Sequence, residues 1–190
     1  MANQNNFREP NNKEFLILKS ELDNIKALLK FINNKLLNKD IVIKTHTKEI
    51  IFKIESRNVL HLLGLSYKGG HKALWFDYKK NRISLGNVGV KRDGTTIQKL
   101  RALHSFEDLF TKECILTGEG RYERLTFEAS LRTSKLLLAI GLKYVDEEQV
   151  YYPNTTLNLK SKIMPQGERV IKIYTIDKNK HRYHFSKEAV

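Results

Sequence analysis

Between Lys13 and Asn38 the chain places Phe15, Leu18, Leu22, Ile25, Leu29, Ile32 and Leu36 at alternating steps of three and four. That spacing keeps them on one stripe of an α-helix, and such a stripe is stable only when something apolar covers it. The rest of the chain must therefore supply a cover, or a second chain must. Leu16, Ile17, Leu28 and Leu37 widen the stripe beyond a coiled-coil seam, which favours packing on the chain's own sheet. The alternative is a homodimer or a partner protein bound through residues 13–38. Asn11, three residues before Glu14, supplies an N-cap with a reciprocal acidic partner. Residues 1–12 are polar and aperiodic and read as a flexible tail ahead of a single domain, 13–190.

Downstream, Ile41 and Ile43 alternate with Val42 and Lys44, a polar turn spans Thr45 to Lys48, and Ile50, Phe52 and Ile54 follow at period two, which predicts a β-hairpin. Arg57 to Leu63 reads as a short apolar helix closed by Gly64, since glycine accepts the left-handed conformation that ends helices. Ala73 to Lys80, Thr95 to Leu103 and Ser105 to Phe110 are helix candidates, the last two with Thr95 and Ser105 as N-caps. After Gly120 the segments Tyr122 to Phe127, Lys135 to Tyr144, Gln149 to Ser161, Arg169 to Ile176 and Arg182 to Phe185 are rich in β-branched and aromatic residues. Turn signals separate them. The expected class is α+β: an N-terminal helix packed on an antiparallel sheet, a helical middle and a C-terminal β-meander.

The 34 Lys and Arg against 21 Asp and Glu leave a net charge of +13. A surplus of that size favours a polyanionic partner, because cations that neutralise phosphates release condensed counterions. Nucleic acid, RNA before DNA, is the expected partner, and no membrane. The single cysteine, Cys114, excludes an internal disulfide and a cysteine zinc site, and no apolar leader or long apolar run occurs. The cytoplasm is the expected compartment. The sequence holds no His-Glu-x-x-His, no phosphate-loop motif, no dinucleotide fingerprint and no Glu-x-Lys pair downstream of an aspartate. No metal and no cofactor are expected. Histidine, threonine and tyrosine among surplus cations remain, the groups required for metal-independent RNA cleavage: a base for the ribose 2′-hydroxyl, an acid for the leaving oxygen and cations for the phosphorane.

Two segments concentrate those groups. In the first, His61 interrupts the apolar run Val59, Leu60, Leu62, Leu63, and Ser66 to Lys72 surrounds Gly69 and Gly70 with Lys68, His71 and Lys72. The residue types assign proton transfer to His61 and His71, and phosphate contact to Lys68 and Lys72. A buried structural histidine and an ordinary solvated loop are the competing readings. The second comprises Arg121 and Arg124, as phosphate ligands, and a strand carrying Thr155, Thr156, Asn158 and Lys160, with Thr155 and Lys160 as catalytic candidates; a solvated sheet face competes with it. His46, His104, His181 and His184 rank lower.

The run Arg57-Asn58-Val59-Leu60-His61-Leu62-Leu63-Gly64-Leu65 after a hairpin, with Tyr122 to Thr126 and Arg182 to Ser186, resembles a phage-associated family of the barnase, EndoU, colicin and RelE-like (BECR) nuclease group. The resemblance spans residues 13–188 and implies a helix on a four-stranded antiparallel sheet and metal-independent RNA cleavage. Only His61 is carried over as a site residue, with Asn58 as a structural companion. Expected, then, is a ribonuclease or toxin-like effector of a phage or mobile element, acting in the bacterial host. A non-catalytic nucleic-acid-binding regulator and a protein-interaction module are the alternatives.

Overall fold

The computed structural model describes residues 6–122, 125–133, 138–159 and 166–185. Strand β1 (Phe7–Arg8) leads into α1 (Asn12–Ser20) and α2 (Leu22–Phe31), which runs on into a π-helical turn, Ile32–Leu36. The expected single helix is thus divided at Glu21 (φ −92°, ψ 0°). The capping box forms: Asn11 Oδ1 accepts from the Glu14 amide and Glu14 Oε2 from the Asn11 amide, each at 2.9 Å. Arg8 adds two bonds to the same carboxylate, at 2.7 and 2.8 Å. Phe7 and Arg8 also pair with Lys91 and Val90, so this part of the aperiodic N-terminal segment, read from sequence as a flexible tail, is fastened by a strand and an ion pair. Leu18, Ile25, Leu29, Ile32 and Leu36 of the stripe are buried inside the chain, whereas Phe15 stays 40% exposed.

The expected hairpin is β2 (Asp40–Lys44) and β3 (Glu49–Lys53). A 3-10 turn, Ser56–Asn58, precedes α3 (Val59–Leu63), which Gly64 ends at φ 66°. Then come β4 (Leu65–Tyr67), α4 (Gly70–Lys79), β5 (Val88–Lys91), α5 (Thr95–Leu100), a 3-10 turn at Leu103–Ser105 and α6 (Asp108–Thr111). Strands β4 and β5 add to the expected helical middle; each is too short for a period of two to stand out. The two proposed N-caps also differ. Gly94 (φ 76°) precedes α5, and Thr95, its first residue, donates its amide and hydroxyl to Asp93 at 3.0 and 2.7 Å. Ser105 ends a 3-10 turn two residues short of Glu107, the cap of α6.

The chain continues as β6 (Cys114–Thr117), β7 (Gly120–Tyr122), β8 (Leu125–Phe127), β9 (Ala129–Thr133), β10 (Leu138–Val145), β11 (Val150–Asn158), β12 (Gly167–Arg169), β13 (Lys172–Ile176) and β14 (Arg182–His184). The class is α+β. The main sheet has nine strands in the order β12-β6-β9-β10-β11-β3-β2-β13-β14, a three-stranded sheet is ordered β1-β5-β4, and β7 pairs with β8. Two features differ from the sequence expectation. The main sheet is mixed and larger than four strands, because β11 runs parallel to β3 with Tyr151 beside Phe52. The C-terminal strands also separate: β12 pairs with β6, whereas β13 returns to the N-terminal hairpin with Ile173 against Ile43. Neighbours in sequence usually pair, so a meander is the natural expectation; here the apolar edge of β2 wins.

The helices and the sheet enclose a core in which Phe31, Phe52, Phe106, Phe110 and Phe185 meet at ring separations of 5.5 to 6.4 Å. Among the described residues, no helix is long and apolar enough to cross a membrane.

Candidate functional site: a buried lysine between two helices and a strand

Beyond Tyr151, β11 leaves its pairing with β3, and α3 and α5 pack along it instead. The β10–β11 register shifts between Gly141, opposite Thr155, and Leu142, opposite Pro153, leaving Asn154 as an extra residue. Such a bulge re-aims the side chains that follow it. Thr156 Oγ1 donates to the Leu62 carbonyl at 2.5 Å and Asn158 Nδ2 to the Gln98 carbonyl at 3.0 Å. These two residues of the strand singled out in the sequence therefore tie it to helix backbones. Thr155 turns to Lys99.

Lys99 lies on the inner stripe of α5 with Thr96 and Leu100 and is only 6% exposed. Its Nζ donates to Thr155 Oγ1 at 2.7 Å and to the His61 carbonyl at 3.1 Å, and the Thr155 hydroxyl donates onward to the Thr156 carbonyl at 3.1 Å. Burial, reinforced by the nearby Lys91 ammonium and opposed by Asp93, pushes Lys99 down to about 7. Two acceptors suit a neutral amine, whose two N–H groups they satisfy; the ammonium form carries a third N–H. The aliphatic stem passes over Gly64, where an added Cβ would sit 2.7 Å from Lys99 Cδ. Gly64 therefore both ends α3 in a left-handed conformation and leaves room for the lysine. Thr96 locks the junction: its hydroxyl donates to the Gly64 carbonyl at 2.5 Å and accepts from the Lys91 amide at 2.9 Å.

The imidazole of His61 lies on the solvent side of this junction. Desolvation by the neighbouring protein surface, then the Lys99 and Lys91 charges, hold its pKa below the ordinary histidine value. It is therefore neutral and able to accept a proton at neutral pH. On β11, Tyr152 lies under the Arg57 guanidinium, 5.8 Å from the ring centroid, and donates to Glu148 at 2.6 Å; burial first, then this bond, pushes its phenol up to about 12.

The structure thus gathers His61 and Thr155 about Lys99. Lys68 and Lys72 are exposed and His71 half-buried around Gly69 (φ 81°) and Gly70 (φ 73°), and no hydrogen bond or ion pair among the described residues joins them to the cluster. Arg121 lies on β7, paired with Thr126. Arg124 and Lys160 fall outside the described residues. Lys99 escaped the sequence reading, although its signal is present: a lysine among Thr96, Leu100 and Leu103 occupies a position where an apolar residue would be expected. Among the described residues, no group of three or more His, Cys, Asp and Glu is placed to hold a metal.

A family model described as phage-Barnase-EndoU-ColicinE5/D-RelE like nuclease4 matches residues 24–183. The chain belongs to this nuclease family. No match was found among curated proteins or among solved structures. Membership in the phage BECR-like family makes nucleic acid the substrate class, which agrees with the +13 charge. The matched span takes in α3, α5 and β11, and so the whole Lys99 junction.

Proposed function

We propose that this BECR-like nuclease is a metal-independent endoribonuclease, an effector of a phage or mobile element that acts in the host cytoplasm. The observation that carries the reading is the buried Lys99, poised near neutrality between the His61 backbone and Thr155, with the His61 imidazole held neutral in front of it. In the proposed reaction the His61 imidazole takes the proton of a ribose 2′-hydroxyl, and the freed oxygen attacks the adjacent phosphorus. The P–O5′ bond breaks, the proton passes to O5′, and a 2′,3′-cyclic phosphate and a 5′-hydroxyl result. Lys99, when protonated, and Lys91 are the cations whose charges act on the imidazole, and they stabilise charge on the phosphorane. Thr155 positions Lys99. Lys68, Lys72, Arg121 and Arg124 stay as proposed phosphate contacts, His71 as a proposed further proton carrier and Lys160 as a proposed catalytic cation at the scissile phosphate.

A second reading is favoured by one observation: neutral Lys99 has both N–H groups bonded, so the junction is also coherent as architecture in a non-catalytic RNA-binding protein. Incubation of the full chain with total RNA in EDTA separates the two. Cleavage leaving 2′,3′-cyclic ends, reduced about 10²- to 10⁴-fold in His61→Ala, supports the enzyme. RNA binding with no cleavage rejects it.

A further inference from the structure

The last hairpin of the main sheet carries chemistry that the Lys99 junction does not use. From Lys172 to Phe185 there are four Lys or Arg against a single acid, Asp177, interspersed with Tyr174, His181, Tyr183 and His184. Strands β13 and β14 pair Tyr174 with His184 and Ile176 with Arg182, so period-two alternation puts Lys172, Tyr174, Arg182 and His184 on one face. Ile173 on the other face is buried, and the Phe185 ring that follows β14 lies 5.5 Å from that of Phe110 and 6.2 Å from that of Phe31. The hairpin is anchored by one face and presents the other.

On the presented face the Tyr174 ring lies 5.3 Å from the His184 imidazole, with planes 35° apart, and the Arg182 guanidinium lies 5.5 Å from the Tyr174 centroid. Tyr174 is half-buried and acts as a fixed support, while Arg182 and His184 are exposed. The nearby acids are engaged: Asp177 accepts from Tyr183 at 3.0 Å and from the Asn179 amide at 2.8 Å, and Asp40 pairs with Lys53 at 3.3 Å. Lys172 stands directly opposite Lys44, an arrangement that costs stability in a sheet, and only Lys44 has an ion-pair partner among the described residues, Glu49.

A guanidinium and an imidazole propped on a tyrosine are planar and accessible, the surfaces on which unpaired bases stack; a duplex keeps its base faces hidden. We propose that this face is a stacking platform for single-stranded RNA, with bases on Arg182 and His184 and phosphates at Lys172 and Lys44. The proposal rests on the reading of RNA as substrate. Strand β13 is three strands from β11, roughly 14 Å across the sheet, a span that a short extended strand covers.

The test is fluorescence anisotropy with a short labelled single-stranded RNA and with the corresponding duplex, using full-length protein carrying His61→Ala to prevent turnover. The parent should prefer the single strand. Arg182→Lys, which keeps the charge and removes the plane, and His184→Ala should each weaken single-strand binding about fivefold or more while leaving duplex binding unchanged. Tyr174→Phe should bind like the parent. Equal losses on both RNAs, or no loss on either, overturn the platform. Cleavage by the native chain is scored separately: single-strand binding that depends on Arg182 without any cleavage rejects the ribonuclease and keeps the platform, whereas cleavage with full affinity in the variants does the reverse.

Discussion

Replacing Lys99 with methionine should change how stability depends on pH. The native lysine titrates near 7, against 10.5 for the free side chain, so between those values the unfolded chain binds more protons than the folded one. Stability from this group therefore rises with pH across the window, opposite in sign to a group whose folded pKa is raised. With one pKa unit equal to about 1.4 kcal/mol, charged Lys99 costs the native state about 5 kcal/mol at pH 6 and about 1.5 kcal/mol at pH 9.5. The thioether of the Lys99→Met variant does not titrate and makes no such contribution. Urea unfolding followed through Trp75, the single tryptophan and a buried one, should show the parent gaining about 3 kcal/mol on the variant between pH 6 and 9.5. A difference constant to within about 1 kcal/mol over that range would show that Lys99 is not titrating from a buried amine, and the reasoning about the junction would fall with it.

Gly64→Ala should be among the most destabilising single-methyl changes, about 2 kcal/mol or more by thermal unfolding, because the new Cβ meets both Lys99 Cδ and a φ of 66°. Thr155→Val removes an acceptor from Lys99 Nζ and should cost about 1 to 3 kcal/mol at pH 7, and less at pH 9.5 where the amine is neutral. Because the His61 pKa is lowered, the acid limb of any pH–rate profile should fall below the ordinary histidine range; a limb at or above that range would remove His61 as the base. Nucleic-acid affinity should decline linearly in a log–log plot against salt, and a flat response would reject phosphate contact as the use of the +13 charge.

What could be read in the sequence was local. The three-four stripe, the Ile41 to Ile54 hairpin and the Gly64 helix stop each follow from residues within a turn or two of one another, and each has its counterpart in the structure. His61 stood out because a titratable ring interrupts an apolar run. Two other features depend on partners distant in sequence. The return of β13 to β2 is decided by matching apolar edges more than a hundred residues apart, which no window reveals. Lys99 is bonded to Thr155 and to the backbone of His61, and although its place on the inner stripe of a short helix marks it as odd, the partners that make it a site lie 56 and 38 residues away. Thr155 and Thr156 differ in fate because of the bulge at Asn154, and a bulge leaves no compositional mark on a strand rich in Tyr and Thr.

The same β2–β13 pairing bears on how the chain is made. Asp40–Lys44 leaves the ribosome long before Lys172–Ile176, and at about 5 to 20 residues per second the edge of Ile41, Val42 and Ile43 waits roughly 7 to 26 s for its partner. Throughout that interval the nascent hairpin shows an unpaired, nearly all-aliphatic strand edge, the kind of template on which copies of a chain join one another. Nascent chains of this nuclease are thus open to capture by chaperones, or to aggregation, until the last hairpin emerges, and high expression should strain that interval before it tests the stability of the finished fold.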